Sequence, residues 1–195
     1  MSDDIIYGWH FLSAEGKAYG GYVPPPVGEW EPPIENPEPC VRGYHGSPTI
    51  LKALAFATGP ILGRCEFRGV VWDGDGTKWA ARGRRCIARV DASRLLRYFA
   101  VHVAEDAMRA AEWTDPRSWA ATQAARDYAD GKINEAARSA AGWAAESAAR
   151  SAAWSAAWST AGWAAESVAW STQSAWLESA ALDLDIAPSW TGGKP

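Results

Sequence analysis

Two histidines, His10 and His45, are the side chains of this sequence best suited to acid–base or ligand chemistry. An imidazole titrates near neutral pH, so it can serve as an acid, a base or a ligand. Ser47 follows His45 closely, and Lys78 and Arg82 could add positive charge to a shared site. We predict a small-ligand site from these residues. The alternative is that each histidine makes only structural hydrogen bonds.

A basic run in the middle of the chain favours an anionic ligand. Residues 64–97 carry nine Lys and Arg against four Asp and Glu, whereas both flanks are acidic. On a strand, Arg82 and Arg84 would share one face and Arg85 the other, so only part of the run can converge on one anion. A few guanidiniums could hold a nucleotide phosphate. The net charge of −4 and the pI near 5.4 argue against general nucleic-acid binding.

The three cysteines, Cys40, Cys65 and Cys86, lack CxxC spacing and are odd in number. This pattern fits neither a disulfide framework nor a ribbon-type zinc site, so we expect buried, reduced thiols. A zinc site from these cysteines and His45 is chemically possible, but its spacing is irregular. We therefore predict no metal and no cofactor.

The elements that must position these residues are short strands with strong turn signals between them. Patterns of apolar residues predict strands and one helix, and Gly, Pro and Asp clusters predict the turns. Ser47 is the expected N-cap of that helix, with Pro48 in its first turn. The predicted strands cover 5–12, 61–72 and 78–90, the helix 49–57, and a Pro/Gly-rich stretch 20–39. We predict an α+β domain with a small mixed sheet over residues 1–103.

From about residue 104 the composition changes to Ala, Trp, Ser, Arg and Glu, which is typical of helix. Thr114-Asp115-Pro116 has the signature of a helix start, and Asp130-Gly131 that of a break. The heptapeptide AGWAAES occurs twice, at 141–147 and 161–167, as in a low-complexity helical repeat. We predict an all-α hairpin or bundle over 104–187 and a flexible tail over 188–195.

Six tryptophans of the repeat occupy two faces of a helix when residues are placed at ~100° steps. One face holds Trp143, Trp154, Trp158 and Trp176, and the other holds Trp163 and Trp170. Burying one indole is worth about 2–3 kcal/mol, so such a helix should pack on two sides. The partner is either another helix of the same chain or a second copy, which would make the protein a homo-oligomer.

The start of the chain has no basic n-region and no long apolar run, so we expect no signal peptide. The charge-free segment 151–165 is too short and too rich in serine to span a bilayer. The sequence therefore predicts a soluble protein without a membrane partner.

Several segments of the sequence resemble an uncharacterised family common in phages and prophages, with patterns GxHFL, CxxGLHxS, ALxYAxG and GDKxxA. Tyr44 stands where that family has leucine. The matching segments are GWHFL at 8–12, CVRGYHGS at 40–47, ALAFATG at 53–59 and GTKWAAR at 76–82. The resemblance implies a phage-borne accessory protein in the cytoplasm of a host bacterium.

The chain is also weakly similar to ADP-ribosyltransferases of the His-Tyr-Glu type. This resemblance implies that His10 holds a ribose and that Tyr44, or His45 beside it, stacks on nicotinamide. The third element, a glutamate late in the sheet, should fall near 78–90, where the sequence has none. Without the negative charge of that glutamate, the group-transfer reaction would be impaired. An active enzyme would need Glu66, Asp73 or Asp75 to reach the cleft.

The prediction is a non-enzymatic phage accessory or anti-defence protein that binds a host protein or a small nucleotide, with the helices mediating oligomerisation. Its ligand site is formed from His10, Tyr44, His45, Ser47, Lys78 and Arg82. One alternative is an NAD-using enzyme with an ADP-ribosyltransferase-like fold. Another is a structural virion component.

Overall fold

The computed structural model describes residues 4–141 and 162–182, and of residues 162–170 and 182 the backbone only. The chain forms two compact units. Of the described residues, the first unit takes 4–92 and 174–182, and the second takes 93–141 and 162–173. The combination of strands and helices is α+β, as predicted. The predicted boundary after residue 103 falls inside a helix that begins at Ser93.

The first unit is built on a four-stranded sheet in the order β1-β3-β4-β2. The strands are β1 (Ile6–Leu12), β2 (Tyr44–Gly46), β3 (Ile61–Trp72) and β4 (Trp79–Asp91). Every described pairing is antiparallel, so the prediction of a mixed sheet is wrong. The turn after Trp72 returns the chain directly beside β3, and parallel pairing would need a crossover connection instead.

The sheet curls until its two edge strands meet. Trp9 of β1 and Ser47, just after β2, exchange backbone hydrogen bonds of 2.9 and 3.0 Å. Two glycines allow the close packing inside the curl, because a Cβ at Gly46 would lie 2.3 Å from the Phe67 ring and one at Gly8 2.4 Å from Trp79. Phe67 and Trp79 pack edge to face at 5.2 Å. The interior is therefore tightly filled by aromatic rings.

The Pro-rich stretch is an ordered neighbour of β4. The backbone N–H groups of Gly28, Glu31 and Ile34 donate to β4 carbonyls, each at 2.8 Å. Prolines cannot donate, so the intervening residues supply the hydrogen bonds that protect this part of the β4 edge. A short 3₁₀ turn, Tyr19–Gly21, lies at the start of the stretch.

Cys65 and Cys86, neighbours across β3 and β4, form a disulfide with their Cα atoms 4.0 Å apart. Cys40 is free and exposed. The prediction of three buried, reduced thiols is therefore wrong, although Cys65 and Cys86 are buried. Sulfur atoms joined in a disulfide cannot be zinc ligands, so Cys65 and Cys86 are excluded from the zinc site considered with His45. The pairing depends on strand register, which spacing along the chain does not reveal.

The N-cap of helix α1 (Ile50–Leu54) is Thr49, whose side chain accepts a hydrogen bond from the Lys52 N–H. Ser47 was the predicted N-cap, but it is held by its bridge to Trp9, so the helix starts later. The last described turns of α5 (Gly162–Leu182) also belong to the first unit. There the Glu178 carboxylate accepts from the Ile50 N–H at 2.6 Å, and Leu177 is buried.

The second unit contains α2 (Ser93–Ala110) packed against α3 (Pro116–Ala129). Asp115 caps α3 and Gly131 follows it with a φ of 72°, which confirms both sequence signals. A fourth helix, α4, begins at residue 135 and is described to residue 141. Glu105 of α2 is buried between Arg109 and Arg126.

The predicted helical hairpin or bundle over 104–187 is described only in part, because 142–161 and the residues after 182 lie outside the described residues, as does the tail predicted over 188–195. Trp143, Trp154 and Trp158 are among those not described, and so are the side chains of Trp163 and Trp170. Trp176 lies on α5 and is half-buried. No helix among the described residues is long and apolar enough to span a membrane.

Candidate functional site

His10 lies on β1 beside a group of cations. Its Nε2 is buried and has no hydrogen-bond partner among the described residues. Burial lowers its pKa well below the usual value, and the charges of Arg84, His45 and Arg89 lower it further. In the strand register His10 lies opposite Gly63 and Gly63 opposite Arg89, so the side chains of His10 and Arg89 lie on one face of the sheet. Arg84 and His45 act on His10 through their charge.

Arg84 is the centre of this group, and its partner is Glu31 of the Pro-rich stretch. The Arg84 Nε donates to Glu31 Oε1 at 2.5 Å, and the two side chains are only 3% and 1% exposed. Arg84 also donates to the His45 carbonyl oxygen at 3.4 Å and lies 5.3 Å from the centre of the Tyr44 ring. A buried guanidinium held on several sides is a fixed donor.

The second oxygen of Glu31 is unusual. Its Oε2 is buried, yet it accepts no hydrogen bond from any described residue. Native proteins satisfy most buried polar atoms, so an unused acceptor of a charged group is a feature that needs an explanation. Burial raises the pKa of Tyr22, and Glu31 and Tyr44 raise it further through their charge and through side-chain hydrogen bonding, so the Tyr22 hydroxyl is a donor within reach of Glu31.

Arg89 adds a second cation that is only half-buried. Its Nη2 donates to the Pro25 carbonyl at 2.9 Å, while its Nε is buried without a partner among the described residues. Burial and the neighbouring Arg84 lower its pKa, and Glu31 acts in the opposite direction. We call His10, Glu31, Tyr44, Arg84 and Arg89 the interior cluster.

The aromatic and histidine members of β2 are already engaged. The Tyr44 hydroxyl donates to the Pro32 carbonyl at 2.7 Å. His45 Nε2 accepts from the Cys40 N–H at 3.1 Å, which places the proton of the neutral ring on Nδ1. Burial, followed by Lys78 and Arg84, lowers the pKa of His45. The Tyr44 hydroxyl and His45 Nε2 therefore already have hydrogen-bond partners, whereas His10 and Arg89 keep unused donor or acceptor atoms.

Three of the predicted site residues have other contacts. Ser47 is buried and bridges to Trp9 through its backbone. The Lys78 ammonium lies 3.9 Å from the centre of the Phe56 ring, although its charge still reaches His45. Arg82 pairs with Glu35 at 3.0 Å at an exposed position. Of the predicted site residues, His10 and Tyr44 belong to the interior cluster, whereas His45 follows Tyr44 on β2 and points to the other face of that strand. Ser47, Lys78 and Arg82 lie apart from the cluster.

The carboxylates on which transferase chemistry would depend are held elsewhere. Glu66 pairs with Arg85 across β3 and β4. Asp73 and Asp75 accept from the Thr77 hydroxyl within the β3–β4 turn, each at 2.8 Å. The carboxylate of the interior cluster is Glu31, which the sequence analysis did not single out. The available signal was a glutamate flanked by Trp30 and two prolines in a stretch interpreted as a loop.

The second unit has a cavity of about 450 Å³ between α2, α3 and the start of α4. Alanines of α2 and α3 form much of its wall, and Arg97, Tyr128 and Arg138 contribute polar atoms. None of the predicted ligand residues lines it.

Comparison of the chain with protein-family models, with curated proteins and with solved structures gives no match. Any argument about function therefore depends on the interior cluster itself.

Proposed function

We propose that this protein acts by binding, and that the interior cluster holds the anionic group of a small ligand such as a nucleotide phosphate. The observation that carries the proposal is that His10 and Arg89 lie on one face of the sheet and feel the charge of Arg84, with Nε2 of His10 and Nε of Arg89 unused. Arg84 is itself paired with Glu31. Two guanidiniums with one acidic partner leave an excess of positive charge. A phosphate oxygen would accept the unused hydrogen bonds.

The burial of the cluster favours a small ligand. Low local dielectric strengthens a charge-assisted hydrogen bond, so one phosphate could gain much from a few contacts. His10 and Arg89 are half-buried, so a ligand would contact them with a small terminal group more easily than with a polymer. The net charge of −4 also opposes the approach of long polyanions.

Binding without chemistry is favoured over transfer because the carboxylate of the cluster, Glu31, is paired with Arg84, whose positive charge offsets its own. A carboxylate needed to stabilise a developing positive charge must be free to face it. The resemblance to phage and prophage proteins supports a role as a phage accessory or anti-defence protein. In this proposal the Ala/Trp-rich helices assemble several copies, as the two-faced tryptophan pattern favours.

Calorimetric titration of the full chain with AMP, ADP and NAD tests the proposal. We expect saturable binding of at least one nucleotide, and a loss of roughly tenfold or more in affinity for Arg89→Gln, which removes a charged donor. Arg68→Gln is the matched control, because Arg68 lies on neighbouring β3 with its guanidinium over Trp30. Equal affinities for the two variants, or no binding at all, would contradict the proposal.

A further inference from the structure

We infer that the cavity of the second unit binds an alkyl carboxylate, with the hydrocarbon chain against the cavity wall and the carboxylate on Arg97. This inference does not depend on the proposed function, because the cavity lies in the second unit and the interior cluster in the first. Its volume of about 450 Å³ falls in the range of small-molecule sites, which is roughly 300–1,000 Å³. Arg97 and Ala100 in its wall are exposed, so the cavity is open to the surface there.

The wall of the cavity is apolar and is built from short side chains. Ala104 of α2, Ala121 and Ala125 of α3 and the buried Val101 line it. An alanine side chain ends at Cβ, so helices that meet through alanines leave a space that longer side chains would fill. Apolar surface in contact with water is unfavourable, and a hydrocarbon chain in this space would cover it.

The polar side chains of the cavity favour an anionic head group. The guanidiniums of Arg97 and Arg138 lie 4.5 and 5.5 Å from the centre of the Tyr128 ring. The carboxylate among the described lining residues is that of Glu135, and it accepts hydrogen bonds from Arg138. These two charges balance each other, so Arg97 adds one uncompensated positive charge to the cavity.

Arg97 is the group available to a ligand, whereas Glu135 is occupied. The guanidinium of Arg97 contacts the Tyr128 ring, and no carboxylate in the described part of the chain forms an ion pair with it. Hydrogen bonds from Arg138, Ser139 and Tyr128 lower the pKa of Glu135 to about 2, so this carboxylate stays ionised at neutral pH. A ring contact leaves the N–H groups of a guanidinium available for charge-assisted hydrogen bonds to a ligand carboxylate.

The experiment is a calorimetric titration of the full chain at pH 7 with sodium hexanoate, octanoate and decanoate, and with 1-octanol and octylamine. We expect octanoate to bind about tenfold more tightly than hexanoate, because two more methylenes leave water. Octanoate should also bind more tightly than 1-octanol, and octylamine, which is cationic at this pH, should bind least. No binding of any carboxylate, or an affinity that does not rise with chain length, would overturn the inference. Equal binding of octanoate and octylamine would overturn the role of charge.

Two substitutions on α2 test the head-group contact. Arg97→Gln should weaken octanoate binding about tenfold and leave 1-octanol binding unchanged, since only the carboxylate loses a charged donor. Arg94→Gln is the matched control, because Arg94 lies three residues earlier on the same helix, pairs with Asp130 and does not line the cavity. Equal losses of octanoate binding in the two variants would overturn the assignment to Arg97.

Two substitutions on α3 test the cavity itself. Ala121→Leu places a longer side chain in the cavity and should weaken octanoate and 1-octanol binding tenfold or more. Ala120→Leu, at the exposed neighbouring position, should bind both as the unmodified protein does. Circular dichroism confirms that each variant is folded before it is titrated. Equal binding by the two variants would overturn the inference. So would a change of mass in light scattering for Ala121→Leu without binding of any alkyl compound, which would assign the cavity to a second copy of the chain.

Discussion

A buried carboxylate lies among guanidiniums in each unit, Glu31 in the first and Glu105 in the second, and the two clusters differ in how completely their hydrogen bonds are satisfied. Glu105 in the second unit accepts from Arg126 at 3.1 and 2.7 Å and from Arg109 at 2.9 Å, so both of its oxygens are occupied. Glu31 in the first unit has one oxygen bound to Arg84 and one without a partner among the described residues. A saturated network stabilises a fold, whereas an unsaturated one next to unused donors can receive a ligand.

The arginines that pair with Glu105 are also more exposed than the arginine that pairs with Glu31. The side chains of Arg109 and Arg126 are 56% and 37% exposed, and Arg84 is 3% exposed. When its partner carboxylate is removed, an arginine near the surface can be rehydrated, but a buried arginine cannot. The comparison between the two clusters therefore predicts unequal effects for equivalent substitutions.

The largest effect is expected for Glu31→Ala, which leaves Arg84 buried without its counter-charge. Breaking a buried ion pair on one side typically costs about 3–5 kcal/mol, and urea unfolding should show a loss of this size. Glu35→Ala removes the carboxylate of an exposed pair and should cost less than about 1 kcal/mol. Similar losses for the two variants would show that the Glu31 pair is not buried as described.

Removal of the disulfide should have the next largest effect. The Cys65–Cys86 link closes a loop with a sequence separation of 21, for which chain entropy predicts a stabilisation of about 3 kcal/mol. The double variant Cys65→Ala, Cys86→Ala should lose about that much. Titration of the denatured, unreduced protein with a thiol reagent should find one reactive thiol, that of Cys40. Three reactive thiols would contradict the disulfide.

Glu105→Ala should destabilise the protein by only about 1–2 kcal/mol. The hydrogen bond from Arg126 is the main reason that the pKa of Glu105 is lowered, so the interaction favours the folded state. The two arginines regain water when the carboxylate is lost, which limits the cost. Urea unfolding of this variant beside Glu31→Ala measures the difference directly. If Glu105→Ala loses as much free energy of unfolding as Glu31→Ala, the predicted difference between the two clusters is wrong.

The smallest effect is a dependence on pH that differs between the units. The pKa values of His10 and His45 are lowered in the folded state, so protonation favours unfolding, and stability should fall as the pH drops below about 6.5. We expect roughly 1 kcal/mol between pH 7.5 and 5.5. The contribution of Glu105, whose pKa is lowered, is lost only when the pH falls below about 4.5.

The double variant His10→Gln, His45→Gln tests this assignment. It should remove the loss between pH 7.5 and 5.5 and leave the acid unfolding below pH 4.5 in place. Unfolding midpoints in urea, measured at half-unit intervals of pH, provide the comparison. A pH profile in the neutral range that the two substitutions do not change would mean that other groups titrate there.

Local sequence patterns predicted the strands and several ends of helices. Ile61–Trp72 is the strand expected from its apolar pattern, and α3 begins at Pro116 behind Asp115 as the capping signal indicated. Each of these features depends on neighbours in the chain, which a pattern can report.

The interior cluster depends on contacts between distant segments, and the sequence predicted it only in part. His10 and His45 were identified by residue type, but their strands lie side by side only because of the curl that joins Trp9 to Ser47. Glu31 was missed because its stretch is rich in proline and was interpreted as a loop. Its burial follows from hydrogen bonds to β4, a strand more than forty residues away in the sequence.

The central claim is that the interior cluster binds an anion, and the imidazole signals of the three histidines test it most directly. The ¹⁵N resonances of His10, His45 and His102 can be followed while AMP is added to the full chain. His102 pairs with Asp106 in the second unit and is an internal control. We predict a saturable shift of His10 with His102 unchanged. No shift of His10, or equal shifts of His10 and His102, would contradict the claim.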